Sequence, residues 1–335
     1  LKEISRVELL ELLKNEILDF FSIQGLIDLI RSGDYSSLKT WSGITTALAP
    51  LVPLIVVVEM AMALLHQKLR FREYKLTLLI YVFNRIVGRF ISLGVVAFCI
   101  GIFQPLGVIH IGFTWYWLIY AYLVWEFAHF IYHFLAHKVR LFWCLHSTHH
   151  AQESMNIAVT YNHFILEAPY ADFIRTSICI VLGVDPAMLF MIMFIDGTWG
   201  GFIHVGENFM KDARFGFLQH LILTPSHHRV HHARNPLYMD TNFCNLLNVW
   251  DRVFRTYQPE DRQLPIEYGI TRQINPGNFV DVYFGEIYYL IKDVVAAPGL
   301  KNKLLYVLMP PGWNHRGNHK TANVIRNEYL NQSRR

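Results

Sequence analysis

Apolar residues recur at helical spacing from the start of the chain. Ile4, Val7, Leu10, Leu13, Ile17, Phe20 and Phe21 share one face of residues 3–31, and charges fill the other. This predicts an amphipathic helix or helix pair, lying on a membrane surface or packed as a soluble helix. Longer apolar runs follow. Residues 43–65 are interrupted only by Pro50, Pro53 and Glu59. That length suits the ~20 residues a bilayer requires. Residues 76–103 read as a second span containing Asn84, Arg85 and Arg89, and residues 113–134 as a third, rich in Trp and Tyr. Residues 156–195 are again mostly apolar, broken at Glu167-Ala168-Pro169 and Asp185-Pro186. They read as a helical hairpin dipping into or across the bilayer.

Beyond residue 206 the pattern turns polar. Thr224-Pro225-Ser226 reads as a helix start, with Thr224 capping and Pro225 in the first turn. Residues 283–308 are apolar but broken by Lys292, Asp293, Pro298, Lys301 and Lys303, which fits interfacial helices. The tail from Asn314 is polar and expected to be mobile. Lys68, Arg70, Arg72 and Lys75 between the first two spans mark the cytoplasmic side. Counting spans from there places residues 133–150 at the cytoplasmic face. The expected fold class is all-α: an integral membrane helical bundle with a cytosolic, histidine-rich di-metal cap. It divides into amphipathic helices (1–42), membrane helices (43–205) and a cap with interfacial C-terminal helices (206–335).

Composition supports this picture. The 335 residues are 53% hydrophobic, and only 17% are charged, against roughly 25% in soluble domains. Mean hydropathy is +0.25. Net charge is only +4, and no basic run interleaves with aromatics, so no nucleic-acid partner is expected. Cys99, Cys144, Cys179 and Cys244 are scattered and form no CxxC pair, which predicts free, buried thiols. Leu1-Lys2-Glu3-Ile4 is no signal peptide. With Leu1 in place of an initiator methionine, a few residues are expected to precede it.

The candidate chemistry lies in the histidines. Of 17, 13 fall between His129 and His232. Eight form three groups: His133 with His137; His146, His149 and His150; and His228, His231 and His232. Positions i, i+3 and i+4 share a helix face, so each group can grip a metal ion from one side. Eight imidazoles exceed one ion's needs, so two ions are the natural count. Imidazole suits iron, zinc, copper or nickel better than calcium or magnesium. His129 continues the His133/His137 stripe one turn deeper, either as part of the site or as a core histidine. His227 points off the face of its motif, toward a supporting or substrate-side role. Glu59, Asn84, Arg85 and Arg89 are polar groups in predicted spans, where Arg85 and Arg89 could pair with Glu59 or meet a lipid headgroup.

The stretches YHFLAHKVRLFWCLHSTHH (132–150) and LTPSHHRVHHARNPLYMDTNFCNLLNVWDRVFRTY (223–257) resemble the fatty acid hydroxylase/sterol desaturase superfamily of membrane di-iron enzymes, most closely its alkylglycerol monooxygenase branch. The resemblance is strong over residues 129–257. It implies ligands at His133, His137, His146, His149, His150, His228, His231 and His232, with His204 joining them. It aligns His163 and Glu167 with a polar pair, Glu167 having a possible catalytic or substrate role. Asp240, Asn242 and Asp251 match positions that back the ligands in such enzymes. The chain departs at Lys138, where members of the branch often carry Glu.

The resemblance further implies two iron ions, zinc being able to replace them on purification. O2 and a membrane lipid would be the substrates, with a pterin such as tetrahydrobiopterin, or a redox protein, as electron donor. The reaction implied is hydroxylation next to the ether oxygen of an alkylglycerol. Alternatives are hydroxylation or desaturation of an ornithine lipid, a sterol or a fatty acyl chain. A zinc-dependent membrane hydrolase or metal store is the reading from a different class.

Overall fold

Prolines and short polar side chains set the helix boundaries. In the computed structural model, which describes residues 6–88 and 91–333, the chain divides into two compact units, 1–69 and 70–335. The first contains α1 (Arg6–Phe20), α2 (Gln24–Ser32), α3 (Trp41–Leu48) and α4 (Leu51–Leu65). The expected amphipathic segment is thus a helix pair. Thr40 caps α3 by accepting the Gly43 N–H at 3.2 Å. Pro53 sits in the first turn of α4, where its missing N–H costs nothing. Together α3 and α4 form a 25-residue candidate span, matching the first predicted one.

The second unit begins with α5 (Phe71–Gly88) and α6 (Ile91–Phe103). The second span expected over 76–103 is a pair of helices bent by 55°, a broken span or a re-entrant loop. Arg89 lies outside the described residues, so its expected pairing has no structural account. Next come α7 (Trp117–Lys138), α8 (Arg140–His150), α9 (Glu167–Val181) and α10 (Pro186–Phe202). α7 is the second helix long and apolar enough to cross a membrane, and the bent pair would make a third if it counts as one span. Trp115, Tyr116 and Trp117 cluster at its start, as aromatics do at a membrane interface.

The sequence VLGVDP (181–186) builds the α9–α10 hairpin. Gly183 takes φ +83, and a Cβ there would collide with the Ile109 carbonyl at 1.9 Å. Only glycine permits both the left-handed backbone and that approach. Asp185 then caps α10 by accepting from Ala187 and Met188 N–H groups at 2.9 and 3.2 Å. Trp125, Cys179, Met188, Leu189 and Ile192 form the core that joins α7, α9 and α10.

The rest of the unit is α11 (Pro225–His231), α12 (Val249–Val253), α13 (Phe279–Ala296), α14 (Gly299–Leu308) and α15 (Ala322–Ser333). The expected mobile tail is therefore largely helical. Its Asn323 accepts from Lys138 at 2.9 Å, and Arg326 donates to Gln258 at 2.9 Å. No strand forms among the described residues, which contain two isolated bridges. The fold is all-α. Leu78, Ile86, Leu93, Phe98, Ile119 and Phe190 stay exposed on the apolar helices, as lipid-facing residues of an integral membrane protein do.

Candidate metal centre

Three helix ends and one loop deliver the histidines. α7 carries His133 and His137, α8 carries His146, His149 and His150, and α11 with its C-cap carries His228, His231 and His232. His204 follows the end of α10. All nine are buried. They form two groups, in each of which one nitrogen per ring lies within 4.8 Å of the others. The first is His133, His137, His146, His150 and His231; the second is His149, His204, His228 and His232.

This divides the motifs differently from the expectation that each grips one ion. A helix advances about 100° per residue, so i+3 and i+4 diverge by that angle. His146 and His150 therefore go to the first group and His149 to the second. His228 and His232 go to the second group and His231 to the first.

Hydrogen bonds behind the rings determine what faces inward. His133 Nδ1 donates to the Phe243 carbonyl at 2.9 Å, and His146 Nδ1 donates to Glu167 Oε1 at 2.5 Å. His204 Nδ1 donates to the Gly200 carbonyl at 2.6 Å, and His231 Nδ1 to the Thr241 carbonyl at 2.8 Å. Those oxygens only accept, so each Nδ1 carries a proton, and in the neutral form of each ring the lone pair lies on Nε2. His133 Nε2 and His146 Nε2 are 3.1 Å apart. Two lone pairs repel at that distance unless a cation lies between them.

The other facing Nε2 pairs, 146/150, 149/204, 204/228 and 228/232, are 2.8–3.1 Å apart. Two nitrogens at right angles on one ion, each ~2.1 Å from it, would be about 3.0 Å apart. His137 Nε2 and His231 Nε2 are buried without a hydrogen-bond partner. The donor set fits transition-metal ions.

Burial, followed by repulsion among neighbouring rings, holds His149, His150, His228 and His232 well below the usual imidazole range. Burial brings His204 and His231 down to about 3, although their carbonyl acceptors oppose it. These six rings are neutral at pH 7, as metal binding requires.

Around the rings sit the remaining predicted residues. Glu167 accepts from His146, from His163 Nδ1 at 2.8 Å and from the Tyr132 hydroxyl at 2.9 Å. His163 stacks on His149 with centroids 4.5 Å apart. One carboxylate thus orients a ring of the first group and steadies a ring of the second. Asp240 Oδ1 lies 3.4 Å from His137 Nδ1, and Lys138 donates to its other oxygen. The lysine that breaks the family pattern therefore holds the acid behind His137.

Asp251 accepts from the Phe243 and Cys244 N–H groups and from Thr256 Oγ1. It fixes the loop whose carbonyls receive His133 and His231. Asp240 and Asn242 have φ +56 and +58, a conformation these residue types tolerate best after glycine. Asn242 binds the His227 and Gln258 carbonyls, away from the rings.

His227 and His129 stand outside both groups. His227 Nδ1 accepts the Thr224 N–H in a capping box, and its Nε2 donates to Tyr257 Oη at 2.9 Å. His129 Nδ1 is 3.5 Å from Asp196 Oδ2. Four supporting residues were not singled out from the sequence. They are Tyr132, Arg175, Asp196 and Glu126, whose buried carboxylate accepts three backbone N–H groups of Asn245–Leu247. The rule that flagged Glu59, an ionisable group within an apolar run, finds three of them.

Two cavities flank the rings. One, about 110 Å³, opens toward Trp143, Asp240, Arg234, Lys320 and Pro311. The other, about 230 Å³, lies between α7, α9 and α10 and touches His133, His146, His149, His204 and His228.

Residues 117–256 match the family model for fatty acid hydroxylases. Among individual proteins, the chain is 31% identical to human alkylglycerol monooxygenase over 202 residues, covering 60% of this chain and 42% of that protein. It is 30% identical to the Xenopus tropicalis alkylglycerol monooxygenase over 200 residues, with the same coverage. It is 28% identical to an ornithine lipid hydroxylase of Rhizobium tropici over 156 residues, 45% of each chain. The chain thus spans less than half the length of these relatives. No solved structure matches.

Replacing Glu167 by Ala removes the acceptor behind His146 and His163. Metal affinity is expected to fall by about 10–100-fold, with Glu167→Gln retaining part of it. Competition with a chelator measures the change. Unaltered affinity in Glu167→Ala would show that the carboxylate does not support the rings.

Proposed function

We propose that this chain is a membrane lipid monooxygenase that holds two iron ions in its two histidine groups and hydroxylates an alkylglycerol at the carbon next to the ether oxygen. The observation that carries this reading is the meeting of the His133 and His146 lone pairs in a buried site. Alkylglycerol monooxygenases of human and frog, as relatives, support the ether-lipid substrate.

His133, His137, His146, His150 and His231 would hold one ion, and His149, His204, His228 and His232 the other. Bound iron would supply O2 activation and oxygen insertion into a C–H bond. The protein aims five of the nine rings inward through Glu167, Asp240 and three backbone carbonyls. It buries them from water and offers a cavity bounded by apolar helices beside them.

The reaction replaces C–H by C–OH with one atom of O2. The other atom leaves as water, with two electrons and two protons drawn from a donor. A hydroxyl on the carbon bonded to the ether oxygen makes a hemiacetal, which opens to an aldehyde and glycerol. Tetrahydrobiopterin or a redox protein fits the donor role. Lys68, Arg70, Arg72 and Lys75 favour a cytoplasmic position for the site by the positive-inside rule.

Iron-loaded protein in nanodiscs is given 1-O-hexadecylglycerol, tetrahydrobiopterin and 18O2. Hexadecanal and glycerol are expected, with one 18O entering the products. A hydroxylated lipid with its ether intact would move the assignment to another lipid, and full turnover by zinc-only protein would contradict the redox reading. Protease access to a tag placed after α15 is expected only from the cytoplasmic side; access from outside would reverse the orientation.

A further inference from the structure

The larger cavity carries polar groups that the metal reading does not use. Its lining includes Asp196 on α10 and Arg175 on α9. Asp196 is 3% exposed. Its Oδ2 lies 3.5 Å from His129 Nδ1, while its buried Oδ1 has no hydrogen-bond partner. Arg175 donates to Asp172 at 2.7 Å and lies over the Trp125 and Tyr132 rings at 5.0 and 5.3 Å. Its buried Nε also has no partner. Buried polar atoms in proteins are nearly always satisfied, so an acceptor and a donor left over on two side chains that line one cavity call for a ligand group able to serve either.

A hydroxyl does so, because it donates to a carboxylate and accepts from a guanidinium. A carboxylate or phosphate would meet repulsion from Asp196 and from Glu167, which lines the same cavity, and an ammonium would meet Arg175. Room exists for the chain that would carry the hydroxyl. A Cβ at Gly197, the neighbour of Asp196, would touch nothing within 4 Å, whereas one at Gly200 would already press on Asn245 at 3.2 Å.

We propose that Asp196 and Arg175 together read a free hydroxyl of a neutral lipid, with the chain running past Gly197 toward the histidines, and so determine specificity. This rests on the monooxygenase reading and deepens it. It favours an uncharged polyol headgroup over a zwitterionic one.

The test compares 1-O-hexadecylglycerol with its di-O-methyl ether, in binding by tryptophan fluorescence and in turnover, using the full chain in nanodiscs. The wild type is expected to favour the free-hydroxyl lipid by about a hundredfold or more, as sites built to bond a hydroxyl do. Asp196→Ala is expected to collapse that preference to within about fivefold, through KM for the free lipid, with a much smaller change for the ether. Asp196→Asn, which keeps an acceptor oxygen, is expected to retain part of it. Gly197→Leu adds bulk without touching a charge and is expected to weaken binding of both lipids.

Equal losses on both lipids in Asp196→Ala, or wild-type binding in Gly197→Leu, would overturn the assignment. Preferential binding through Asp196 without oxidation would contradict the monooxygenase reading and leave this one standing.

Discussion

Two imidazole lone pairs, on His133 Nε2 and His146 Nε2, meet at 3.1 Å in a buried site. Neither ring can turn to relieve them, because a carbonyl and a carboxylate hold the opposite nitrogens. With both rings neutral the pair needs a cation between them, and much of the second unit holds the rings in this arrangement. Glu126 ties residues 245–247 to α7, and Asp251 ties residues 243–244 to α12. The loop between them offers the Thr241 and Phe243 carbonyls to His231 and His133.

Backbone exposed to lipid must remain helical, and the free carbonyls that fix the ring tautomers lie beyond or between the apolar helices. α7 and α8 meet at Val139, just after His137, and the α9–α10 hairpin returns to deliver His204. The rings therefore collect where the apolar helices give way to the polar segment. The stretch that matches the fatty acid hydroxylase family model, residues 117–256, contains all of these elements.

Much of this was legible in the sequence. The i, i+4 pairs His133/His137, His146/His150 and His228/His232 announce shared faces, and long apolar runs announce the helices that carry them. The cap at Thr224 was legible because its hydrogen bonds are local. The division of each HxxHH motif between two groups was not, because it depends on where neighbouring helices stand. Nor was the commitment of Glu167 to His146, His163 and Tyr132, which lie 21, 4 and 35 residues away. The bend between α5 and α6 escaped a reading by hydropathy, which measures apolarity and not direction. The C-terminal helix escaped because its polar face covers Lys138 and Gln258, contacts that composition does not encode.

The central claim is that the histidines are arranged for two transition-metal ions. X-ray absorption at the metal edge, with a metal count on protein purified without oxygen, tests it most directly. The expected result is two ions per chain in a shell dominated by imidazole nitrogen. A protein that folds and turns over with one ion or none, or with a shell of sulfur or carboxylate oxygen, would contradict it.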